Sequence, residues 1–148
     1  MRARFLGALA GLAVIVAGAG GASLATAQTA TGLAVRVSVT NVATHEGFIL
    51  AALYDESNWG GTAVARARVP ANGDVVTLSL AAPSPGHYGI RLFHDVDSDG
   101  VMDANIIGIP TEPFGFSNNA PLQFGPPSFS AAAFDVVAGG STQTIALR

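Results

Sequence analysis

Apolar and polar residues alternate along several parts of this chain. From Leu33 to Thr40, apolar side chains occupy every second position, which is the period of a strand with one buried face. Residues 75–80 and 87–94 repeat the same alternation. The run Phe48–Tyr54 is apolar throughout, and its length between turn residues favours a central strand over a helix. These four segments predict β-structure.

The remaining segments complete an all-β pattern. Residues 63–69 suit either a short strand or a helical turn. Residues 131–137 and 142–147 read as two final strands, joined by a turn at Gly139-Gly140. Short strands at regular spacing, with no helical period among them, predict a single β-sandwich of about seven strands, of the immunoglobulin or transthyretin kind.

Residues 95–130 interrupt this pattern with a long stretch that has no clear strand. Such a stretch is usually either functional or disordered. Disordered segments lack aromatic and β-branched residues, whereas this one has four phenylalanines and three isoleucines. Its five prolines reduce the entropy that is lost when an irregular segment becomes ordered. We therefore predict a long ordered loop with its own apolar cluster. The expected members are Ile106, Ile107, Ile109, Phe114, Phe116, Phe124 and Phe129.

The first 27 residues have the features of a cleavable signal peptide. Two arginines precede an apolar run over residues 5–22, and Ala25-Thr26-Ala27 fits the small-x-small cleavage rule. Residues 28–148 would then form the mature chain, as a single domain. An uncleaved anchor is the alternative, but a run rich in Gly and Ala enters lipid weakly. We expect a periplasmic or secreted protein with no membrane span after cleavage.

Composition excludes several classes of function. The chain has no Cys, so disulfides, a lipid-modified cysteine and a thiol nucleophile are excluded. The mature chain would carry five basic and ten acidic residues, a formal net charge of −5. We expect no nucleic-acid partner, because no basic stripe is present to contact phosphates.

The strongest chemical signal is the acidic loop, which we define as residues 95–103. It holds four of the ten acidic residues and no Lys or Arg. Its alternating carboxylates, glycine and later carboxylate match positions 1, 3, 5, 6 and 9 of an EF-hand calcium loop. Ile106 stands at position 12, where that template has a bidentate Glu, so another residue must supply this ligand. The predicted Ca²⁺ ligands are Asp95, Asp97, Asp99, Val101 through its carbonyl, Asp103 and Glu112.

A hydrogen-bonded turn without metal is the alternative for this loop. Asp-Gly and Ser-Asp pairs form turns in which side chains accept from nearby backbone amides. That explanation accounts for one or two aspartates, but four carboxylates repel one another unless a cation or many amide donors compensate. For Glu112 the alternative role is to accept from amides of residues 114–119.

Other chemistry has weaker support in the sequence. His94 stands at a predicted strand end, where a structural hydrogen bond is more usual than metal binding. Ser117 and Ser128 lack the sequence context of a hydrolase nucleophile. A hydrolase that uses carboxylates of residues 95–112 is the alternative function, although a non-enzymatic role is expected. Trp59 could stack on a sugar if exposed, but a lone Trp more often belongs to the core.

A series of short motifs runs through the second half of the chain. The motifs are Gly86-His87-Tyr88, His94-Asp95, Asp97, Asp99-Gly100, Asp103, Gly108-Ile109-Pro110, Glu112, Gly115-Phe116-Ser117-Asn118, Gly125-Pro126-Pro127, Phe129 and Ala133-Phe134. Together with an earlier strand that ends in Leu53-Tyr54-Asp55, the series resembles the bacterial family DUF2141. The resemblance covers nearly all of residues 33–148. Asp97 and Asp99 stand where the family pattern has Asn, so this loop is more acidic.

The resemblance implies an exported β-sandwich and no particular activity. Combined with the acidic loop, it predicts an exported, calcium-stabilised module. The module would act as a ligand-binding or envelope structural domain. The expected ligand class is a carbohydrate or a peptide, bound at the end of the sandwich that carries the long loop.

Overall fold

The computed structural model describes residues 32–148, so the predicted signal peptide and its cleavage site lie outside the described residues. Within this range the chain forms eight strands. They are β1 (Leu33–Thr40), β2 (Phe48–Tyr54), β3 (Ala65–Pro70), β4 (Val76–Ala82), β5 (Gly86–Asp95), β6 (Phe114–Phe116), β7 (Phe134–Val136) and β8 (Ser141–Ala146). The helical turn α1 spans Phe129–Ala132, and 3₁₀ turns span Glu56–Asn58 and Ser117–Asn119. No helix of the described part is long and apolar enough to cross a membrane.

The strands form two sheets. The small sheet has the order β4-β1-β8, in which β1 runs antiparallel to β4 and parallel to β8. The large sheet has the order β3-β2-β5-β6 with antiparallel neighbours, and β7 also pairs with β5. Two packed sheets with almost no helix make an all-β sandwich, which confirms the predicted fold class.

The main core lies between the sheets and follows the alternation of the sequence. Val35, Val37 and Val39 of β1 have no exposed area, whereas Ala34 and Arg36 on the opposite face are exposed. The large sheet contributes Ile49, Ala51, Leu53, Tyr88, Ile90 and Leu92 to the same core. Register is strongly specified, because a slip by one residue would turn this whole buried face to solvent.

The strand β2 of the large sheet is apolar on its outer face as well. Leu50 and Ala52 alternate with the core residues of β2, and Phe93 lies opposite Leu50 on β5. Parts of residues 100–126 line a pocket together with these side chains, so the long segment lies against the outer face. This cover explains why β2 is apolar at every position, whereas a sheet with one solvated face shows alternation.

One strand lies inside the predicted loop. Residues 114–116 form β6, which pairs with β5. The backbone of Phe114 also exchanges two hydrogen bonds with Arg148, at 3.2 and 3.0 Å. A strand of three residues is too short to display a period of two, so the sequence pattern missed it.

The prediction of a strand over residues 131–137 is wrong in part. Its first residues belong to α1, where the Ser128 hydroxyl caps the turn by accepting from the Ala131 N–H. Only residues 134–136 form a strand, β7. The ambiguous segment 63–69 is resolved as a strand, because residues 65–70 pair with β2.

The predicted apolar cluster of the long loop exists only in part. Phe114 and Phe116 join a second, smaller cluster, and Phe129 contacts Trp59 edge to face. The exposed members are Ile106, Ile107, Ile109 and Phe124. Residues 104–110 close on themselves through an Ala104–Pro110 bridge and hydrogen bonds to Asn105, so this turn holds its shape without burying its isoleucines.

Candidate functional site

The acidic loop begins where β5 ends, and its first carboxylate is inside the protein. Asp95 is the last residue of β5 and has no exposed area. Its Oδ2 accepts from the Gly100 N–H at 3.0 Å, which folds the loop back over the strand end. Ser98 and Gly100 both take a positive φ, of 68° and 80°, as a tight reversal requires.

The five predicted carboxylates form two overlapping groups at the acidic loop. Oxygens of Asp95, Asp97 and Asp99 lie within 4.8 Å of one another. Oxygens of Asp97, Asp103 and Glu112 satisfy the same limit, so Asp97 belongs to both groups. Residues of a single loop and one residue beyond it therefore present a dense set of hard oxygen donors, which is the ligand type that Ca²⁺ prefers.

The oxygen Asp95 Oδ1 has no hydrogen-bond partner among the described residues, although it is fully buried. Buried polar groups are usually satisfied, and an unpaired buried charge is costly. Asp97 Oδ1 and Asp99 Oδ1 accept from the N–H groups of Asp99 and Val101, at 3.2 and 2.7 Å. The loop thus contains hydrogen-bonded aspartate turns and, in addition, a buried oxygen that those turns leave unsatisfied.

Glu112 connects the two ends of the acidic loop. Its side chain is buried, and Oε1 accepts from the Val96 N–H at 2.8 Å. Oε2 accepts from the Asp103 N–H at 3.2 Å. These amides belong to the acidic loop. The prediction that Glu112 accepts from amides of residues 114–119 is therefore wrong. A carboxylate oxygen has further lone pairs, so both oxygens keep acceptor capacity. Val101 has an exposed side chain, and its carbonyl as a ligand stays a prediction.

The loop between β1 and β2 lies directly beneath this site. Gly47 has a φ of 69°, and a Cβ on it would lie 2.0 Å from the Asp95 carbonyl oxygen. Nε2 of the buried His94 lies 2.7 Å from the Glu46 carbonyl oxygen, to which it donates. The His94 side chain therefore holds the loop between β1 and β2 against the start of the acidic loop. This agrees with the structural role that the sequence predicted for His94.

Ser117 and its neighbours fasten the long segment to the sandwich. The buried Ser117 hydroxyl accepts from the Ile90 N–H at 2.8 Å and donates to the Ala132 carbonyl. The Asn118 side chain donates to the carbonyls of Ala131 and Ala133. The Asn119 side chain accepts from Ala146 of β8. This serine hydroxyl is committed to backbone partners and is not placed as a nucleophile.

Trp59 is half-buried and holds the same segment from the other side. Its indole N–H donates to the Pro127 carbonyl at 2.8 Å. Its ring packs edge to face on Tyr54 and Phe129, and it covers Gly89 so closely that a Cβ there would meet it at 2.6 Å. The ring is therefore part of a packed cluster, in agreement with the core interpretation of this residue.

A pocket of about 780 Å³ lies between the outer face of the large sheet and the long segment. Leu50, Ala52 and Phe93 form part of its floor, and Met102 and Ile109 form part of its wall. Sequence reasoning missed this site. Two signals were present: β2 is apolar on both faces, and arginines at alternate positions flank it on β3.

Three arginines line the pocket. Arg91 lies over the rings of Trp59 and Tyr54, with its Cζ 4.2 and 5.2 Å from the ring centroids. Burial lowers the pKa of the Arg91 guanidinium, and the nearby Tyr54 opposes that change. Arg68 lies over the Phe48 ring, and Arg66 is exposed. Among the described residues, no Asp or Glu oxygen comes within 4.0 Å of these guanidinium groups.

Comparison with known protein families shows to which family the chain belongs. The sequence matches the family described as "Uncharacterized protein conserved in bacteria (DUF2141)" over residues 37–145. The chain belongs to the DUF2141 family. No curated protein and no solved structure matches it. The matched region contains the acidic loop, Glu112 and the residues that line the pocket.

The geometry explains one of the sequence motifs of this DUF2141 domain. In Gly115-Phe116-Ser117-Asn118, a Cβ on Gly115 would lie 2.6 Å from Ile145 of β8, so the strand needs glycine there. Phe116 packs in the second cluster, Ser117 binds backbone of α1 and β5, and Asn118 binds backbone of α1. The motif in this DUF2141 domain therefore has a structural role, which is to hold the long segment against the sandwich.

Proposed function

We propose that this DUF2141 domain is an exported β-sandwich module whose acidic loop holds Ca²⁺ and whose long segment forms a ligand-binding site. One observation carries the metal assignment. Asp95 is fully buried, and its Oδ1 has no partner among the described residues, while oxygens of Asp97 and Asp99 lie within 4.8 Å of its carboxylate. A divalent cation would satisfy this oxygen and offset the repulsion between the carboxylates.

The donor set fits calcium better than a transition metal. Ca²⁺ takes six to eight oxygen ligands, and five carboxylates with the Val101 carbonyl and water can supply that number. The one histidine beside the loop, His94, uses Nε2 to donate to a backbone carbonyl. Imidazole or thiolate ligands, which Zn²⁺ favours, are not part of this set.

The proposed cation would act through the position of the loop. Gly100 and Met102 belong to the acidic loop, and both also line the pocket. A cation that fixes the loop therefore fixes part of the pocket wall. In this proposal calcium has a structural role, and the pocket provides the function of the module, which is ligand binding.

Two other functions remain as alternatives. A hydrolase would use carboxylates of residues 95–112, but Glu112 has both oxygens engaged with backbone amides. An envelope structural module would need the calcium-bound fold and no ligand. The pocket favours ligand binding over both, since concave, mostly apolar sites of roughly 300–1,000 Å³ are typical of small-molecule binding.

Isothermal titration calorimetry of the chelator-treated protein tests the metal site. We expect one Ca²⁺ per chain, with a Kd on the order of 10⁻⁴ M, as in extracellular calcium modules. Asp97→Asn should weaken binding by at least about tenfold, because Asp97 belongs to both carboxylate groups. Asp135→Asn is the matched control, since Asp135 pairs with His87 on the exposed surface. Absence of heat in the wild type would overturn the assignment.

The proposed export predicts a defined N-terminus. Expressed with its leader in a bacterium that has a periplasm, the protein should be recovered there beginning at Gln28, because Ala25-Thr26-Ala27 forms a signal-peptidase site. Intact-mass spectrometry checks this. Ala27→Arg should block cleavage, and Ala30→Arg, three residues beyond the site, should not. Recovery of the wild type with Met1 retained would contradict the proposal.

A further inference from the structure

The charged side chains that line the pocket on the large sheet are all positive. Apart from Tyr54, its polar side chains within residues 32–148 are those of Arg66, Arg68 and Arg91, and no carboxylate of this range lines it. These are three of the five arginines in residues 28–148, although the mature chain is acidic overall. A positively charged rim above an apolar floor, in a protein of net negative charge, indicates a specific anionic ligand.

The strand register brings two of the arginines to either side of one small residue. Arg66 on β3 and Arg91 on β5 both pair with Ala52 on β2. Neighbouring strands are about 4.8 Å apart, so the two arginine backbones are roughly 10 Å apart, with only a methyl group between them. This spacing leaves room for an anionic group between two guanidinium side chains.

Arg91 forms no ion pair with a carboxylate of the described residues. Its Nε is buried and has no acceptor among residues 32–148, and aromatic rings cover part of the guanidinium. Arginine forms strong, paired hydrogen bonds with planar anions such as carboxylates. An anion in the pocket would supply the countercharge that the described part of the protein does not.

We infer that the pocket binds a small organic anion, with its charged group between Arg66 and Arg91 and its apolar body over Leu50 and Phe93. This inference rests on the ligand-binding role proposed above and names its ligand class. It replaces the carbohydrate expected from the sequence, because sugar hydroxyls would find few polar partners on this lining. An extended peptide is less suitable too, since the floor is a sheet face whose backbone groups are already paired.

A pair of fluorescent probes tests the inference. 1-Anilinonaphthalene-8-sulfonate carries a sulfonate, and N-phenyl-1-naphthylamine has the same rings without it. We expect one sulfonate probe per wild-type chain, bound at least about tenfold more tightly than the neutral probe, which corresponds to 1.4 kcal/mol. Arg91→Gln should remove that preference. Arg36→Gln is the matched control, because Arg36 is exposed on the small sheet. Decanoate should displace the sulfonate probe in chelator.

The neutral probe separates loss of charge pairing from loss of the pocket. If Arg91→Gln weakens the binding of both probes, Arg66→Gln at the exposed rim becomes the deciding variant. It must then remove the preference for the sulfonate probe without weakening the binding of the neutral probe; otherwise the inference is overturned. Equal binding of both probes to the wild type would show an apolar pocket without anion selectivity, and would also overturn it. So would an equal loss in Arg36→Gln. Titrations with calcium and with chelator keep this result independent of the metal site: sulfonate binding without any calorimetric calcium response leaves the anion pocket standing and refutes only the cation.

Discussion

Replacing Gly47 with alanine is expected to lower the free energy of unfolding by more than about 3 kcal/mol, which places it among the most damaging single substitutions. The new Cβ would lie 2.0 Å from the carbonyl oxygen of Asp95 and 2.7 Å from that of Val96. Both obstacles are backbone atoms, so the loops must separate. The positive φ of 69° adds strain of about 1–2 kcal/mol for any residue with a side chain.

Gly100→Ala provides the control for that experiment. Gly100 has a φ of 80°, but a Cβ there would meet no atom of the part of the chain that the structure describes within 4 Å. It should therefore show only the conformational cost of about 1–2 kcal/mol. Chemical denaturation in chelator, so that metal binding does not contribute, measures both variants. If Gly47→Ala loses no more stability than Gly100→Ala, the close approach between the two loops does not contribute to stability.

The sequence predicts the sandwich well where its strands are long and their burial is regular. In β1 and β4, side chains alternate between core and outer face in the order that the residues alternate between apolar and polar. Hydrophobic burial and sheet geometry act in the same direction there, so periodicity alone is enough. β6 has three residues and depends on pairing with β5 and Arg148, which are distant in sequence. Local pattern carries no information on such pairing.

The candidate site also has one part that the sequence predicts and another part that it does not. Asp95, Asp97, Asp99 and Asp103 lie within nine residues, so their convergence follows from local turns that the sequence specifies. Glu112 joins them because residues 104–110 close into a turn, which returns the chain to the loop. The pocket depends on three arginines from two strands and on a long segment placed over them. No motif marks such a site, because its parts meet only through the strand register and tertiary packing.

Calcium is expected to stabilise the wild-type protein strongly and to lose this effect when Asp95 is changed. A ligand that binds only the folded state adds RT ln(1 + [L]/Kd), so Ca²⁺ at a hundred times its Kd should add about 2.7 kcal/mol. For a domain of this size, that corresponds to a rise in Tm of about 5–10 °C, which a chelator should reverse. Differential scanning calorimetry at two calcium concentrations measures the effect and its dependence on mass action.

Asp95→Asn should respond to calcium by less than about 0.5 kcal/mol, because the buried carboxylate that the cation would satisfy is gone. In chelator the same variant should remain within about 1 kcal/mol of the wild type, since the Asn oxygen can still accept from the Gly100 N–H. This combination separates a ligand from a purely structural hydrogen-bond acceptor, whose loss would lower stability equally with and without calcium. Asp135→Asn, on the exposed surface, should keep the full calcium response. If the wild-type Tm is the same in calcium and in chelator, the acidic loop is a hydrogen-bonded turn, and the unsatisfied oxygen of Asp95 requires another explanation.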